Sequence, residues 1–244
     1  MTSGSINLFA RGAVLALFSI GAAAEDTYTA NVTMASDYVF RGISQTQEKG
    51  AIQGGFDAAL DNGIYGGVWA SNVNFDTGAN GTSTEVDYYG GYSGTLGCGS
   101  CAYKIGFIYY RYEGDTKYDY IEAAASLTYG GLTAGLNYSP EYLGSGTTDA
   151  VGDEVGFYYP YINYTYALPM DITLALHGAW NGMSEKGVFE AGKDDYSEWS
   201  VGLTKAIKGF TFGLTYWDTN THDLYVPLAG DGSARVVFSL NRVL

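Results

Sequence analysis

The connections of this chain alternate in length, and that alternation limits its fold more than any other feature. Beyond residue 24, runs of about ten residues alternate polar with apolar side chains, and each tight connection is followed by a long one. The tight ones are Asp61-Asn62-Gly63, Cys98-Gly99-Ser100-Cys101, Tyr129-Gly130-Gly131, Leu168-Pro169-Met170 and Lys208-Gly209. Polar stretches at 41–50, 76–83, 113–117, 143–153, 181–195 and 218–232 fall between them. An antiparallel barrel threaded through a membrane from the periplasmic side has short turns at the near end and longer loops outside. A soluble two-sheet sandwich has no reason to sort its connections by end. We therefore expect an all-β fold, a transmembrane antiparallel up-and-down β-barrel of about 12 strands.

The N-terminus reads as a removable leader. Arg11 supplies a weakly positive start, Gly12 to Gly21 is a short apolar core, and Ala22-Ala23-Ala24 before Glu25 is a small-residue cleavage site. That is the pattern of a secretory signal peptide, too short to span a bilayer as a helix. Residues 1–24 are expected to be cleaved, and 25–244 to form a single outer-membrane β-barrel domain with no Pro/Ser-rich linker dividing it. No run of eighteen or more apolar residues follows Ala24, which excludes a helical membrane protein.

Aromatic residues make up 16% of the chain, with 23 Tyr against 4 Trp, while charged residues are also only 16%. So little charge beside so much tyrosine suits a body that is apolar outside, wet inside, and belted by amphipathic rings. The net charge is -14, and loss of Arg11 makes it one unit more negative. That argues against nucleic acid, because neutralising phosphates takes clustered Lys and Arg. It fits either a cation-attracting pore or a solvated acidic surface. Cys98 and Cys101 form a lone C-x-x-C on an expected periplasmic turn. A zinc site needs more ligands and a redox motif a neighbouring βαβ pattern, so a disulfide clipping the turn is the expectation.

Period-two alternation recurs strand after strand. The run Tyr28 to Phe40 puts Tyr28, Ala30, Val32, Met34, Tyr38 and Phe40 on one face and Thr29, Asn31, Thr33, Asp37 and Arg41 on the other. Later runs repeat the scheme, as in Ile121, Ala123, Ala125, Leu127 and Tyr129 against Glu122, Ser126 and Thr128. The polar faces are rich in Gly, Thr, Ser and Asn with isolated acids and little Lys, as a crowded lumen favours. Tyr38, Phe40, Trp180, Trp199 and Tyr216 lie on apolar faces near strand ends, where girdles sit at the lipid interfaces. The runs 64–75 and 155–167 carry large side chains on both faces, so their orientation stays open.

The segment Val32-Thr33-Met34-Ala35-Ser36-Asp37-Tyr38-Val39-Phe40-Arg41-Gly42-Ile43-Ser44-Gln45-Thr46 resembles the opening signature of a proteobacterial family of outer-membrane porins, the Gcw-chp or TorF-type family. Its members carry ASDYxFRGxSQT after a signal peptide, and the strand rhythm extends the resemblance over the mature chain. The resemblance implies an outer-membrane barrel, presumed to be a channel, with no established substrate. One departure is Leu244, which stands where outer-membrane barrels commonly end in an aromatic residue.

On a regular strand Asp37 and Arg41 face the same side about 13 Å apart, so each needs a partner elsewhere. Asp57 or Glu85 is expected for Arg41, and Lys104 or a hydroxyl for Asp37. Gly42 lets the chain bend into a loop. Together with Asp87 and Glu122, these charges form either a constriction that sorts solutes or a polar lock that fixes the wall. Twelve strands give a backbone cylinder of about 24 Å, leaving a passage of about 10 Å at most.

Three functional readings follow. The first is a narrow passive channel for small neutral or cationic solutes. The second is a plugged structural or surface-binding barrel. The third is a barrel enzyme acting on lipid, for which His177 and His222 are the available histidines. No enzyme activity, cofactor or metal is expected from the motifs present. The loop acids Asp149, Asp153, Glu154, Asp194, Asp195, Asp223 and Asp231 read as solvated loops before they read as divalent-ion sites bridging to lipopolysaccharide. The expected partners are outer-membrane lipid and lipopolysaccharide, the barrel assembly machinery during biogenesis, and small solutes.

Overall fold

A computed structural model describes residues 25–75, 81–221 and 232–244. The leader and its cleavage point, His222, Asp223 and Asp231 lie outside the described residues. Twelve antiparallel strands close into a barrel. Its wall strands are β1 (Thr27–Ala35), β4 (Ala51–Ala59), β5 (Ile64–Asn72), β6 (Thr84–Thr95), β7 (Cys101–Glu113) and β8 (Tyr120–Tyr129), followed by β9 (Leu132–Ser139), β10 (Phe157–Leu168), β11 (Ile172–Met183), β12 (Asp195–Ile207), β13 (Phe210–Thr219) and β14 (Arg235–Val243). Each pairs with its neighbour in sequence, and β1 closes the cylinder against β14 through Asn31 opposite Val243 to Ala35 opposite Ser239. Two further strands, β2 (Val39–Phe40) and β3 (Ile43–Ser44), form a separate small hairpin.

The connections sort by end as the sequence predicts. Five tight turns lie at the end where β1 begins, and the long connections lie at the other. In the loop between β9 and β10 a short helix, α1 (Gly144–Val151), covers part of that end. Ile207 faces Phe210 across Lys208 and Gly209, both with positive φ, so that hairpin closes on a two-residue turn whose twist matches its strands. Cys98 and Cys101 are bonded in the β6–β7 turn, their Cα atoms 5.6 Å apart.

The wall is inside-out relative to a soluble protein. Val32, Met34, Ile52, Phe56, Leu127, Leu136, Ile162, Leu203, Phe212 and Phe238 are exposed on its outside, while Thr33, Gln53, Asp57, Glu85, Glu122, Asn137 and Glu198 are buried inside. An apolar band that circles the molecule belongs in hydrocarbon, and closure leaves no strand edge there unpaired. Trp180, Trp199 and Tyr216 are exposed on the outer wall near the loop end; the Trp199 and Tyr216 rings lie 5.3 Å apart.

The two runs whose orientation sequence leaves open are now oriented. In β10 the rings of Phe157, Tyr159 and Tyr161 face in and those of Tyr158, Tyr164 and Tyr166 face out. In β5 Trp69 turns inward, where it meets Tyr38 edge-on with ring centroids 5.4 Å apart. A plug of rings explains the double-sided pattern, because the lumen here is lined by aromatic as well as small polar groups.

The outer wall gives a direct test. Leu136, mid-strand on β9 and exposed, should tolerate Arg poorly: Leu136→Arg is expected to lose about 2–4 kcal/mol. Urea unfolding from lipid vesicles measures it, and an unchanged midpoint would place that face in water.

Candidate functional site

The first strand expected from sequence runs to Phe40, but β1 stops at Ala35. Ser36 still pairs with β14, through its N–H to the Phe238 carbonyl at 2.9 Å. From Asp37 the chain then turns into the barrel, and every residue from Asp37 to Thr46 is buried. This inserted finger is the signature segment itself. Phe40 pairs with Ile43, and Arg41 and Gly42 form the two-residue turn between them, with φ of 51° and 80°. A Cβ on Gly42 would clash with Thr219 Cγ2 and lie 3.1 Å from Glu198 Oε2, so only glycine fits that tip.

The finger crosses the lumen from wall to wall. Tyr38 donates to Glu85 Oε1 on β6 at 3.0 Å, and Phe40 packs edge-on against Tyr110 of β7 at 5.8 Å. On the far side Tyr196 of β12 donates to the Arg41 carbonyl at 3.0 Å, and Val39 packs with Trp217 of β13 and Val237 of β14. A segment that reaches opposed strands at once occupies the cross-section between them. Around it Tyr110, Tyr112, Tyr120, Tyr142, Phe157, Tyr159, Phe189 and Tyr196 join one buried aromatic cluster. A void within that cluster holds only about 20 Å³.

Arg41 sits at the centre, 3% exposed, with Nη2 2.7 Å from Oε2 of Glu122, which is fully buried. Glu122 Oε2 also accepts from Asn137 Nδ2 at 2.8 Å and Tyr110 at 3.3 Å. The Arg41 guanidinium lies 4.3 Å from the Tyr159 ring centre, 4.6 Å from Phe40 and Phe157, and 5.7 Å from Tyr142. Its Nε and Nη1 make no hydrogen bond among the described residues, so these ring faces are what surrounds them. Burial pushes the Tyr142 hydroxyl up to about 12, although Arg41 pulls the other way. Burial and the neighbouring Glu85 raise Tyr38 as well, so both stay neutral and Tyr38 acts as a donor.

Several expected placements need correction. Tyr38 and Phe40 do not stand in an outer girdle: they are 0% and 9% exposed inside the barrel, because the chain leaves the wall before reaching them. Arg41 pairs with neither Asp57 nor Glu85 but with Glu122. The stretch 41–50 is not wholly an outer loop, since its first half lies in the lumen. For Asp37, a hydroxyl is the partner: Ser44 and Thr46 donate to Oδ1 at 2.7 and 2.8 Å, and Arg235, unforeseen from sequence, stands 3.2 Å from Oδ2.

The remaining charges fall on two levels. Glu85 and Asp87 face the finger, whereas Asp57 lies lower and accepts from Tyr89. Lys104 lies low as well, its Nζ 4.3 Å from the Tyr65 ring centre. His177 bonds Asn163 Oδ1 through Nδ1 at 2.6 Å and Tyr159 through Nε2 at 3.1 Å, with Glu198 Oε1 3.6 Å away. Ser200 is its cross-strand partner, yet no hydrogen bond joins them. Both ring nitrogens of His177 are thus hydrogen-bonded, and among the described residues no hydroxyl of Ser or Thr bonds either of them. Glu198 and Tyr159 were missed as finger contacts, although Glu198 carries a visible sign, an acid on a polar face.

Comparison with known proteins places the chain. The Gcw_chp family, described as a bacterial protein of unknown function, matches residues 19–242. The chain belongs to this family. No curated protein matches its sequence. Among solved structures, this Gcw_chp barrel is similar to the NanC porin at TM-score 0.55 and 13% identity, covering 88% of this chain and 98% of that one. It is similar to the KdgM porin at TM-score 0.51 and 9% identity, covering 89% and 97%. At these identities the likeness is one of fold.

Breaking a buried ion pair from one side strands the other charge and costs about 3–5 kcal/mol. Arg41→Ala should therefore lower stability to urea by that order and speed amide exchange in residues 37–46, leaving the wall strands protected. Paired replacement by Arg41→Met and Glu122→Leu should recover much of the loss. Finger exchange equal in wild type and Arg41→Ala would contradict the lock.

Proposed function

We propose that this barrel is an outer-membrane channel of low conductance for small neutral or cationic solutes, with the signature finger as its constriction. The observation that carries the reading is the finger's passage across the lumen among carboxylates. Asp37, Asp57, Glu85, Asp87, Glu122 and Glu198 outnumber Arg41, Lys104 and Arg235 on the inner surfaces. Such a potential attracts cations and repels anions. Two proteins of like fold are porins, which supports a transport role over catalysis, and the hydrogen bonds at both His177 ring nitrogens support it too.

Residues 1–24 direct export and are removed, the assembly machinery inserts the barrel, and the outer wall meets outer-membrane lipid and lipopolysaccharide. Trp180, Trp199 and Tyr216 act as interfacial anchors near the outer surface.

The full burial of the finger favours a second reading, a plugged barrel that does not conduct until the finger moves. Planar-bilayer recording separates the two. Wild-type protein in a salt gradient should give small steps with a cation-selective reversal potential, and Arg41→Ala should raise the step size severalfold. Anion preference would overturn the proposal. Silence in wild type with large steps in Arg41→Ala would establish the plugged barrel instead.

A further inference from the structure

A groove of about 600 Å³ crosses the outer wall of the barrel. Its floor follows one cross-strand row: Ile172 opposite Lys205, Lys205 opposite Phe212, Phe212 opposite Leu240, and Leu240 opposite Met34. That row spans five strands, or about 19 Å at the usual strand spacing. Ile172 opens β11 at the turn end, while Met34 lies one residue before the loop end of β1. The groove thus climbs the wall obliquely from the turn end. One leaflet of hydrocarbon is about 15 Å deep, so an extended acyl chain matches the groove in length as well as in apolar character.

The turn end of the groove is basic in an otherwise acidic protein. Lys205 on β12 and Arg242 on β14 both point outward, beside Phe212 and Leu240. Arg242 Nη1 donates to the Lys208 carbonyl at 3.4 Å, and its guanidinium lies 5.0 Å from the Phe210 ring centre. That brings Lys208, in the β12–β13 turn, to the same corner. The Cα atoms of Lys205 and Arg242 are about 12 Å apart from strand spacing and register, a gap that two long side chains close around one phosphate. Among the described residues no carboxylate forms an ion pair with Lys205, Lys208 or Arg242. Asp171, one residue before the cross-strand partner of Lys205, forms no ion pair with any of the three.

We infer that this corner is a specific site for an anionic phospholipid of the periplasmic leaflet, of the phosphatidylglycerol class. Its phosphate lies between Lys205 and Arg242, Lys208 faces the headgroup, and one acyl chain fills the groove from Ile172 toward Met34. The side is set by the barrel's orientation, since tight turns face the periplasm. The inference is independent of whether the lumen conducts.

Native mass spectrometry of the folded barrel in detergent tests it, with phosphatidylglycerol and phosphatidylcholine of matched chains as probes. Phosphatidylglycerol should bind more tightly, by about fivefold per engaged cation. The double variant Lys205→Gln with Arg242→Gln should lose that preference and leave phosphatidylcholine binding unchanged. The charge-conserving pair Lys205→Arg with Arg242→Lys should keep it, and Lys117→Gln in an outer loop should change neither lipid. Heat-modifiable migration on gels confirms that each variant is folded. Equal affinity for the two lipids, a preference untouched by the double Gln variant, or displacement of bound lipid by inorganic phosphate alone would overturn the site.

Discussion

The buried pair of Arg41 and Glu122 is the constraint on which the interior depends. A guanidinium carried to the centre of a barrel loses its water, and the loss is tolerable only where a carboxylate and aromatic faces replace it. Glu122 supplies the charge, Asn137 and Tyr110 share its oxygen, and Phe40, Phe157 and Tyr159 supply the faces. The pair fixes the depth of the finger, and the finger in turn determines what can occupy the loop-side half of the lumen. Arg41 itself adopts a positive φ of 51°, a conformation a non-glycine residue holds only when its surroundings enforce it. The tip is therefore held by contacts on every side and has little freedom of its own.

This divides the barrel into two unlike halves. Toward the loops, rings from the wall, the finger and the β9–β10 loop pack as the core of a soluble protein does. Toward the turns, β9, β11 and β13 contribute small inward groups, Thr133, Gly135, Ala175, Thr211 and Gly213, with the Tyr161 ring lying over Gly135. The outer surface follows a separate logic set by lipid. A single chain thus carries two apolar surfaces, one packed inside against the finger and one facing hydrocarbon, with the wall strands between them.

The wall was legible from period two and from the order of turns, because both are local. The finger was not, and the reason is specific. Tyr38 and Phe40 are in phase with Tyr28, Val32 and Met34, so alternation alone continues β1 through them; nothing at Ser36 marks the exit from the wall. A local clue did exist in Phe40-Arg41-Gly42-Ile43, where a residue followed by glycine between apolar neighbours fits a two-residue hairpin. The partner of Arg41 lay beyond reach, since Glu122 is 81 residues away and meets it only through barrel closure. Residues 155–167 looked ambiguous for a related reason: one set of rings meets the plug and the other meets lipid. Asp57, Glu85, Asp87 and Glu122 are buried on the inner faces of their strands, and which of them meets which partner depends on the strand register, which alternation alone does not carry.

The most direct test asks whether the signature segment lies inside the barrel. A cysteine at Val39, which packs with Val237, can be paired with a second at Val237 in a background where Cys98 and Cys101 are replaced by Ser. Oxidation of the folded protein in vesicles should join the two cysteines in nearly every molecule, and the single Val39→Cys variant should resist a bulky, membrane-impermeant maleimide. Rapid labelling of Val39→Cys from the aqueous side, with no cross-link to position 237, would contradict the account.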